Sequence, residues 1–174
     1  MRPRFCSQCA GPLEWRRLED ERHPQPVCTR CGHVEWQNPK PTASAIITRR
    51  LSGGPVEVLL TRRAVPPFED YWDVPGGFID PGEHPEDALR REMLEELHVP
   101  IDLQGFLGIF MDSYGDDGES TLNIFYLATL QEGTITPGSD VSEARWFPLA
   151  RLPERIAFNN GRQALEALAA TLKA

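Results

Sequence analysis

The four cysteines of this 174-residue chain all fall between residues 6 and 31, as two CxxC pairs, Cys6/Cys9 and Cys28/Cys31, with 18 residues between them. That is the spacing of a four-thiolate zinc site, in which two sulfurs from each knuckle converge tetrahedrally about 2.3 Å from the metal. Gly11 and Gly32 follow the two pairs and permit tight turns. Disulfides and free thiols are the competing readings. A reducing cytosol disfavours the first, and four thiols so close in sequence would fill a core oddly. A structural zinc on Cys6, Cys9, Cys28 and Cys31 is therefore expected, and it divides the chain. Residues 1–37 form a small stapled ribbon, and Asn38-Pro39-Lys40-Pro41, hostile to helix, leads into a second unit over 38–174. That remainder suffices for one ordinary domain.

From Thr42 onward the pattern is α/β. Ala43 to Arg50 and Val56 to Arg63 are β-branched or apolar runs joined by Ser52-Gly53-Gly54-Pro55, a hairpin signal. Phe106 to Met111, Thr121 to Leu130 and the short Ala144 to Phe147 are further strands, the first two separated by the turn-rich 114–118. Helices are predicted over Pro85 to His98 and Asn160 to Leu172. In the second, Ala164, Leu165, Leu168 and Leu172 recur at helical spacing as a core stripe.

Charge is unevenly spread. The net charge is −8, and residues 77–99 alone hold 7 acidic against 2 basic side chains. A pI near 5.0 lacks the electrostatic footprint of a nucleic-acid binder, so nucleic acid is not an expected partner and any chemistry on phosphates needs cations. The longest apolar runs fall short of the roughly 18–20 residues that cross a bilayer, and the N-terminus lacks the apolar stretch of a signal peptide. A cytoplasmic protein with no membrane contact is expected.

Within the acidic stretch, Pro85 suits a first helical turn, and Glu86 and Asp87 complement the helix dipole. Leu89, Met93 and Leu97 form the buried stripe. Glu92, Glu95 and Glu96, at i, i+3 and i+4, share another arc. Such a trio is usually a solvated face. Its mutual repulsion is mild, about 0.2–0.5 kcal/mol per pair, and Arg91 is the one near cation. Clustered hard oxygen ligands suit Mg²⁺ or Mn²⁺, and a preceding glycine loop lets a backbone carbonyl join them.

Residues 77–99 resemble the Nudix box, a glycine, five residues, a glutamate, seven residues and R-E-U-x-E-E-x-G-U with U aliphatic. Gly77, Glu83, Arg91, Glu92, Met93, Glu95, Glu96 and Val99 match; the departure is His98, where the family has glycine. The resemblance implies an α/β/α sandwich around a mixed sheet. It implies that Glu92, Glu95 and Glu96 bind Mg²⁺ (or Mn²⁺) with the Gly77 carbonyl near them, that Glu83 supports the metal shell, and that Arg91 orients the glutamates. Glu95 or Glu96 would serve as general base. Cations of this kind neutralise diphosphate oxygens and make a water more acidic, so the implied reaction is hydrolysis of a diphosphate. Glu119, Asp140 and Glu143 stand outside the box as candidates for a further carboxylate, Glu143 preferred because it precedes a strand.

Similarity extends to Arg4-Phe5-Cys6, Gln37-Asn38-Pro39-Lys40, Val74-Pro75-Gly76-Gly77 and Arg145-Trp146-Phe147-Pro148, which look like zinc-ribbon Nudix proteins, among them ADP-ribose and FAD diphosphatases. The S-Q-P-W-P-F-P run of NADH diphosphatases is missing. The implied substrate is a nucleoside diphosphate linked to another moiety, such as ADP-ribose, FAD or a related dinucleotide. A house-cleaning hydrolase of modified nucleoside triphosphates and a non-catalytic nucleotide-sensing or nucleic-acid-binding module are the alternatives. By residue type, Arg62 and Arg63 can meet phosphate, Tyr71, Trp72, Tyr114 and Phe110 can stack on a ring or pack at the lip, and Phe158 can close the pocket. The resemblance also favours a homodimer.

Overall fold

The computed structural model describes residues 3–115 and 118–172; Asp116 and Asp117 of the expected turn lie outside the described residues. The N-terminal lobe is a two-stranded antiparallel sheet of β1 (Leu13–Arg16) and β2 (Gln25–Cys28), Leu13 facing Cys28. Each cysteine pair is folded back by a main-chain bond, Ala10 N to Cys6 O at 2.9 Å and Gly32 N to Cys28 O at 3.0 Å. Ala10 and Gly32 take the left-handed conformation there, at φ 56° and 74°.

The larger unit runs β3 (Lys40–Arg50), β4 (Val56–Arg63), β5 (Trp72–Asp73), β6 (Gly76–Phe78), α1 (Pro85–Leu97), β7 (Ile101–Tyr114), β8 (Glu119–Leu130), β9 (Val141–Pro148) and α2 (Asn159–Thr171). Its seven strands form one sheet in the order β5-β4-β3-β8-β7, with β6 added on β3 and β9 on β4. β3 and β8 run parallel, Lys40 to Ile47 alongside Thr121 to Ala128, and the remaining pairs are antiparallel, so the sheet is mixed. The β3–β4 hairpin pairs only near its turn, over Thr48–Arg50 and Val56–Val58. Past that point the strands part, β3 taking β6 at Thr42–Ser44 while β4 continues on β9 and β5. The splayed end holds the site described below.

Alternation along the strands decides the two faces. Ala43, Ala45, Ile47, Leu59 and Ala128 turn to one side and receive Ala88, Leu89, Met93 and Leu97 of α1. Ile46, Val58, Leu60 and Phe125 turn to the other and receive Ala164, Leu165 and Leu168 of α2. This is the expected α/β/α sandwich. Each of Leu89, Met93 and Leu97 is fully buried, contributing about 1.5–3 kcal/mol.

The helix α1 begins as its sequence predicts, with Pro85 in the first turn and His84 accepting a hydrogen bond from Glu86 N at 3.3 Å. It ends on His98, left-handed at φ 54°. There the ring takes up what a glycine would leave open, His98 Nδ1 lying 2.8 Å from Thr136 O.

Several strands differ from expectation. The strand expected over Phe106 to Met111 is β7, more than twice as long, because register shifts near Gly105 and Gly108 break the alternation by which a strand is read. β5 and β6, two and three residues long, have no period of their own and exist only through β4 and β3.

Candidate active site

The acidic helix lies across the splayed end of the sheet, and its phase on the core decides which glutamates enter. Leu89, Met93 and Leu97 face the sheet, so Glu92 and Glu96, each one residue before a stripe position, lie at the margin of the buried face. Both line a cleft beside Gly76 and Gly77. Glu95 falls on the outer side, with its side chain 59% exposed. The trio is thus divided into two inward carboxylates and one at the rim.

Gly77 is required by that arrangement. A Cβ there would stand 2.3 Å from Glu92 Oε1, so any side chain at 77 would push this carboxylate away from the backbone of β6. Gly76 is equally constrained at φ 146°, where a Cβ would meet Ala43 O at 2.2 Å, and its N–H donates to Glu96 Oε2 at 3.2 Å. Burial pushes the Glu96 carboxyl well above the ordinary glutamate range, and the charges of Asp73 and Glu92 push the same way. Burial likewise raises Glu92, against the pull of Arg91. Both carboxylates are thus held side by side against a backbone cradle in surroundings that disfavour their negative charge. Hard oxygen donors of this kind fit Mg²⁺ or Mn²⁺.

Arg91 fastens the site's outer wall. Its Nε and Nη2 each donate at 2.9 Å to the two oxygens of Glu83, a bidentate pair, while Nη1 reaches Glu92 Oε1 at 2.8 Å and Glu95 Oε2 at 3.2 Å. Nη2 also bonds Phe78 O at 3.1 Å, tying helix to strand. The Arg91 hydrogen bond holds the Glu83 carboxyl below its usual range. Glu83 accepts from Asp80 N at 3.0 Å as well, closing the turn that leads into α1.

The adjacent arginines diverge. Arg63 enters the cleft, pairs with Asp73 Oδ2 at 3.1 Å, bonds Pro67 O at 2.7 Å through Nε, and lies 5.1 Å from the centre of the Phe158 ring. Arg62 turns outward to Asp70 at 3.2 Å and toward Glu143. Tyr114 stacks on Phe158 at 5.6 Å and meets Phe78 edge-on at 5.2 Å, at the mouth. Trp72 packs in the α2-side core against Phe147, and Phe110 packs edge-on to Phe125 in the same core. Tyr71 lies beside Phe68 with the Arg155 guanidinium above it. Of the three outlying acids, Asp140 lines the cleft, whereas Glu143 is held by Arg145 and Glu119 by Lys40.

Asp73 is the residue that sequence reading misses. It lines the cleft from β5, accepts Val74 N at 2.8 Å through Oδ1, and burial raises it to about 6 despite Arg63. Nothing in its sequence neighbourhood marks it. The inward phase of Glu92 and Glu96, by contrast, could have been read from the Leu89/Met93/Leu97 stripe.

In the N-terminal lobe the four cysteine sulfurs draw together, with Cys6–Cys31 at 3.7 Å, Cys9–Cys28 at 3.5 Å and Cys9–Cys31 at 3.4 Å. Tetrahedral sulfurs about 2.3 Å from a zinc ion would stand about 3.8 Å apart, so the cluster fits that metal. The N–H groups of Gln8 and Arg30 each donate to a sulfur at 3.4 Å, as thiolates in a knuckle require. Gly11 is enclosed by this cluster, where a Cβ would come 3.0 Å from Cys28 Sγ.

An α/β/α sandwich whose acidic helix faces a glycine strand at the open end of a mixed sheet, preceded by a four-cysteine lobe, defines the class. Residues 38–168 match the family described as NUDIX domain and residues 4–37 the one described as Nudix N-terminal, and the chain belongs to the Nudix family. It is 31% identical over 104 residues to an ADP-ribose pyrophosphatase of Methanocaldococcus jannaschii, covering 60% of this chain and 61% of that protein. It is 30% identical over 174 residues to a NAD-capped RNA hydrolase NudC of Deinococcus radiodurans, covering 97% and 58%. The chain thus spans about half to three fifths of the length of the curated relatives it matches. A NUDIX hydrolase from Nitrosomonas europaea has a similar solved structure, with a TM-score of 0.76, 27% identity, and coverage of 94% of this chain and 89% of that one.

Proposed function

We propose that the chain is a divalent-metal-dependent diphosphatase acting on a nucleoside diphosphate linked to another moiety, such as ADP-ribose, FAD or a related dinucleotide. The observation that carries this reading is the pair of inward carboxylates, Glu92 and Glu96, seated against a glycine backbone that no side chain can occupy. With the Gly77 carbonyl they would hold Mg²⁺ or Mn²⁺. When bound, the cation supplies charge neutralisation of the diphosphate and Lewis acidity for attack by water. The chain's own residues do the rest. Arg91 locks Glu83 and Glu92 in place, Arg63 meets a phosphate oxygen at the cleft's inner edge, and Glu95 at the rim accepts the proton of the attacking water. Zinc on the four cysteines staples residues 1–37 as a unit separate from 38–174. The names of the relatives support a diphosphate-linked nucleotide substrate.

The test is a panel of ADP-ribose, FAD, NADH, NAD-capped RNA, diadenosine polyphosphates and nucleoside triphosphates, with and without Mg²⁺, products resolved by chromatography. The expected result is Mg²⁺-dependent cleavage to two monophosphates; no cleavage of any member overturns the reading. The acidic balance favours a small-molecule substrate over nucleic acid, and the same reading takes the protein as cytoplasmic and homodimeric. No helix among the described residues is long and apolar enough to cross a membrane.

A further inference from the structure

Two arginines line the carboxylate cleft, and among the described residues they divide its acids between them. Arg91 bonds Glu92, whereas Arg63 turns to Asp73 and bonds neither Glu92 nor Glu96. Charge alone does not account for that division, since a guanidinium beside two crowded carboxylates is drawn to them. The account lies in how Arg63 is held.

Its main chain closes the end of β4, N donating to Tyr71 O at 2.9 Å and O accepting from Asp70 N at 3.0 Å. In the side chain Nε donates to Pro67 O at 2.7 Å, Nη1 donates to Asp73 Oδ2 at 3.1 Å, and the Phe158 ring centre lies 5.1 Å from the guanidinium carbon. Nη2 has no hydrogen-bond partner among the described residues. Asp73 is held in turn. β5 pairs it with Thr61 of β4, and its Oδ1 accepts Val74 N at 2.8 Å. The same short strand fixes the segment before Phe158, with Trp72 N donating to Arg155 O at 2.9 Å and Ala157 N to Trp72 O at 2.8 Å. The side chains of the pair are 16% and 15% exposed, so solvent screens their attraction little.

We propose that Asp73 is a positioning residue for the diphosphate: it presets the Arg63 guanidinium, leaving Nη2 as the donor that meets a phosphate oxygen. The inference rests on the reading of the cleft as a diphosphate site and deepens it. A guanidinium is a rigid planar fork, so anchoring two of its nitrogens, Nε on Pro67 O and Nη1 on Asp73, orients the third. An arm oriented in advance spares the entropy of ordering a long side chain when the anion arrives. Charge by itself argues the reverse role. A carboxylate at the edge of an anion's site repels the anion, so an Asp73 that acted by its charge alone would weaken substrate binding. The two roles thus differ in sign.

A double-mutant cycle in KM, at saturating Mg²⁺, tests this. Asp73→Asn keeps the side-chain volume but has one acceptor oxygen for two donors, Val74 N and Arg63 Nη1. It should raise KM for ADP-ribose about tenfold while kcat changes less than about threefold, and Arg63→Met should raise KM at least as much. The double variant should be no worse than Arg63→Met, because Asp73 acts through Arg63. A KM that is unchanged or lowered in Asp73→Asn, or a double variant in which the two increases multiply, overturns the proposal. Should Asp73→Asn fail to fold, Arg63→Lys carries the test: it keeps the charge and can stay paired with Asp73 but has no free arm, so KM should again rise about tenfold, and an unchanged KM overturns the proposal. Calorimetric binding of a non-hydrolysable α,β-methylene analogue of ADP-ribose with Mg²⁺ in the same variants separates this inference from the reading it rests on. If no substrate is turned over but analogue binding weakens in the same pattern, the diphosphatase reading falls and the role of Asp73 stands. Turnover without that pattern does the reverse.

Discussion

Glu96 is partly buried beside Asp73 and Glu92, which with desolvation disfavour its charged form, while Glu95 is exposed and bonds Arg91. Substituting Glu96→Gln is accordingly expected to cut kcat by about 100-fold or more, and Glu95→Gln to lower kcat with less effect on Mg²⁺ affinity; steady-state kinetics across a Mg²⁺ titration separates the two. The same burial gives a pH dependence opposite to that of most carboxylates. An acid whose folded pKa is raised takes up protons on folding, so its stabilisation is present below the unfolded value of about 4 and is lost as pH rises through the folded one, about 6 for Asp73. Glu83, lowered by Arg91, works the other way and loses its contribution as pH falls. Without divalent ions the melting temperature should decline between about pH 4 and 7, and added Mg²⁺ should flatten that decline; a flat profile in both conditions would count against the buried acids. The helix trio was legible because its members are neighbours by helical spacing. Asp73 was not, because a two-residue strand and a pairing with β4 bring it to Glu96 across more than twenty residues of sequence.

At the scale of elements, the carboxyl end of α1 is held by a loop rather than by a glycine cap. Thr136 N donates to Leu97 O at 3.0 Å, Gly138 N to Glu96 O at 2.8 Å, and the His98 ring reaches Thr136 O. The same loop delivers Asp140 to the cleft. At Gly138 a Cβ would stand 2.0 Å from Glu95 O, so Gly138→Ala should destabilise by about 1–3 kcal/mol and displace the very turn that carries two box glutamates. His98→Gly should be nearly neutral: relief of a left-handed residue, about 1 kcal/mol, is offset by the loss of a hydrogen bond of similar worth. Thermal denaturation of the two variants checks both. Helix starts and the long strands β3, β4 and β8 were legible from Pro85, the turn glycines and apolar alternation. β5, β6 and the loop over 131–140 were not, since each takes its conformation from a partner distant in sequence.

Over the whole molecule, the two strands of the cysteine lobe pair with each other in a sheet separate from the seven-stranded one. Cys28→Ser should release zinc, measurable with a chromogenic chelator, and open residues 1–37 to protease while the larger unit keeps its melting transition and part of its turnover. Complete loss of turnover would mean that the lobe shapes the cleft. The parallel pairing of Lys40–Ile47 with Thr121–Ala128 has a further consequence, for biogenesis. A ribosome must make some eighty residues after the first of these segments before the second exists to meet it. Until then an emerging polypeptide carries its acidic helix beside an incomplete sheet, with one long edge of β3 bare. Chaperones that shield such edges should therefore matter most while the middle of the message is being translated, and synonymous codons that slow elongation there should lower the yield of folded protein.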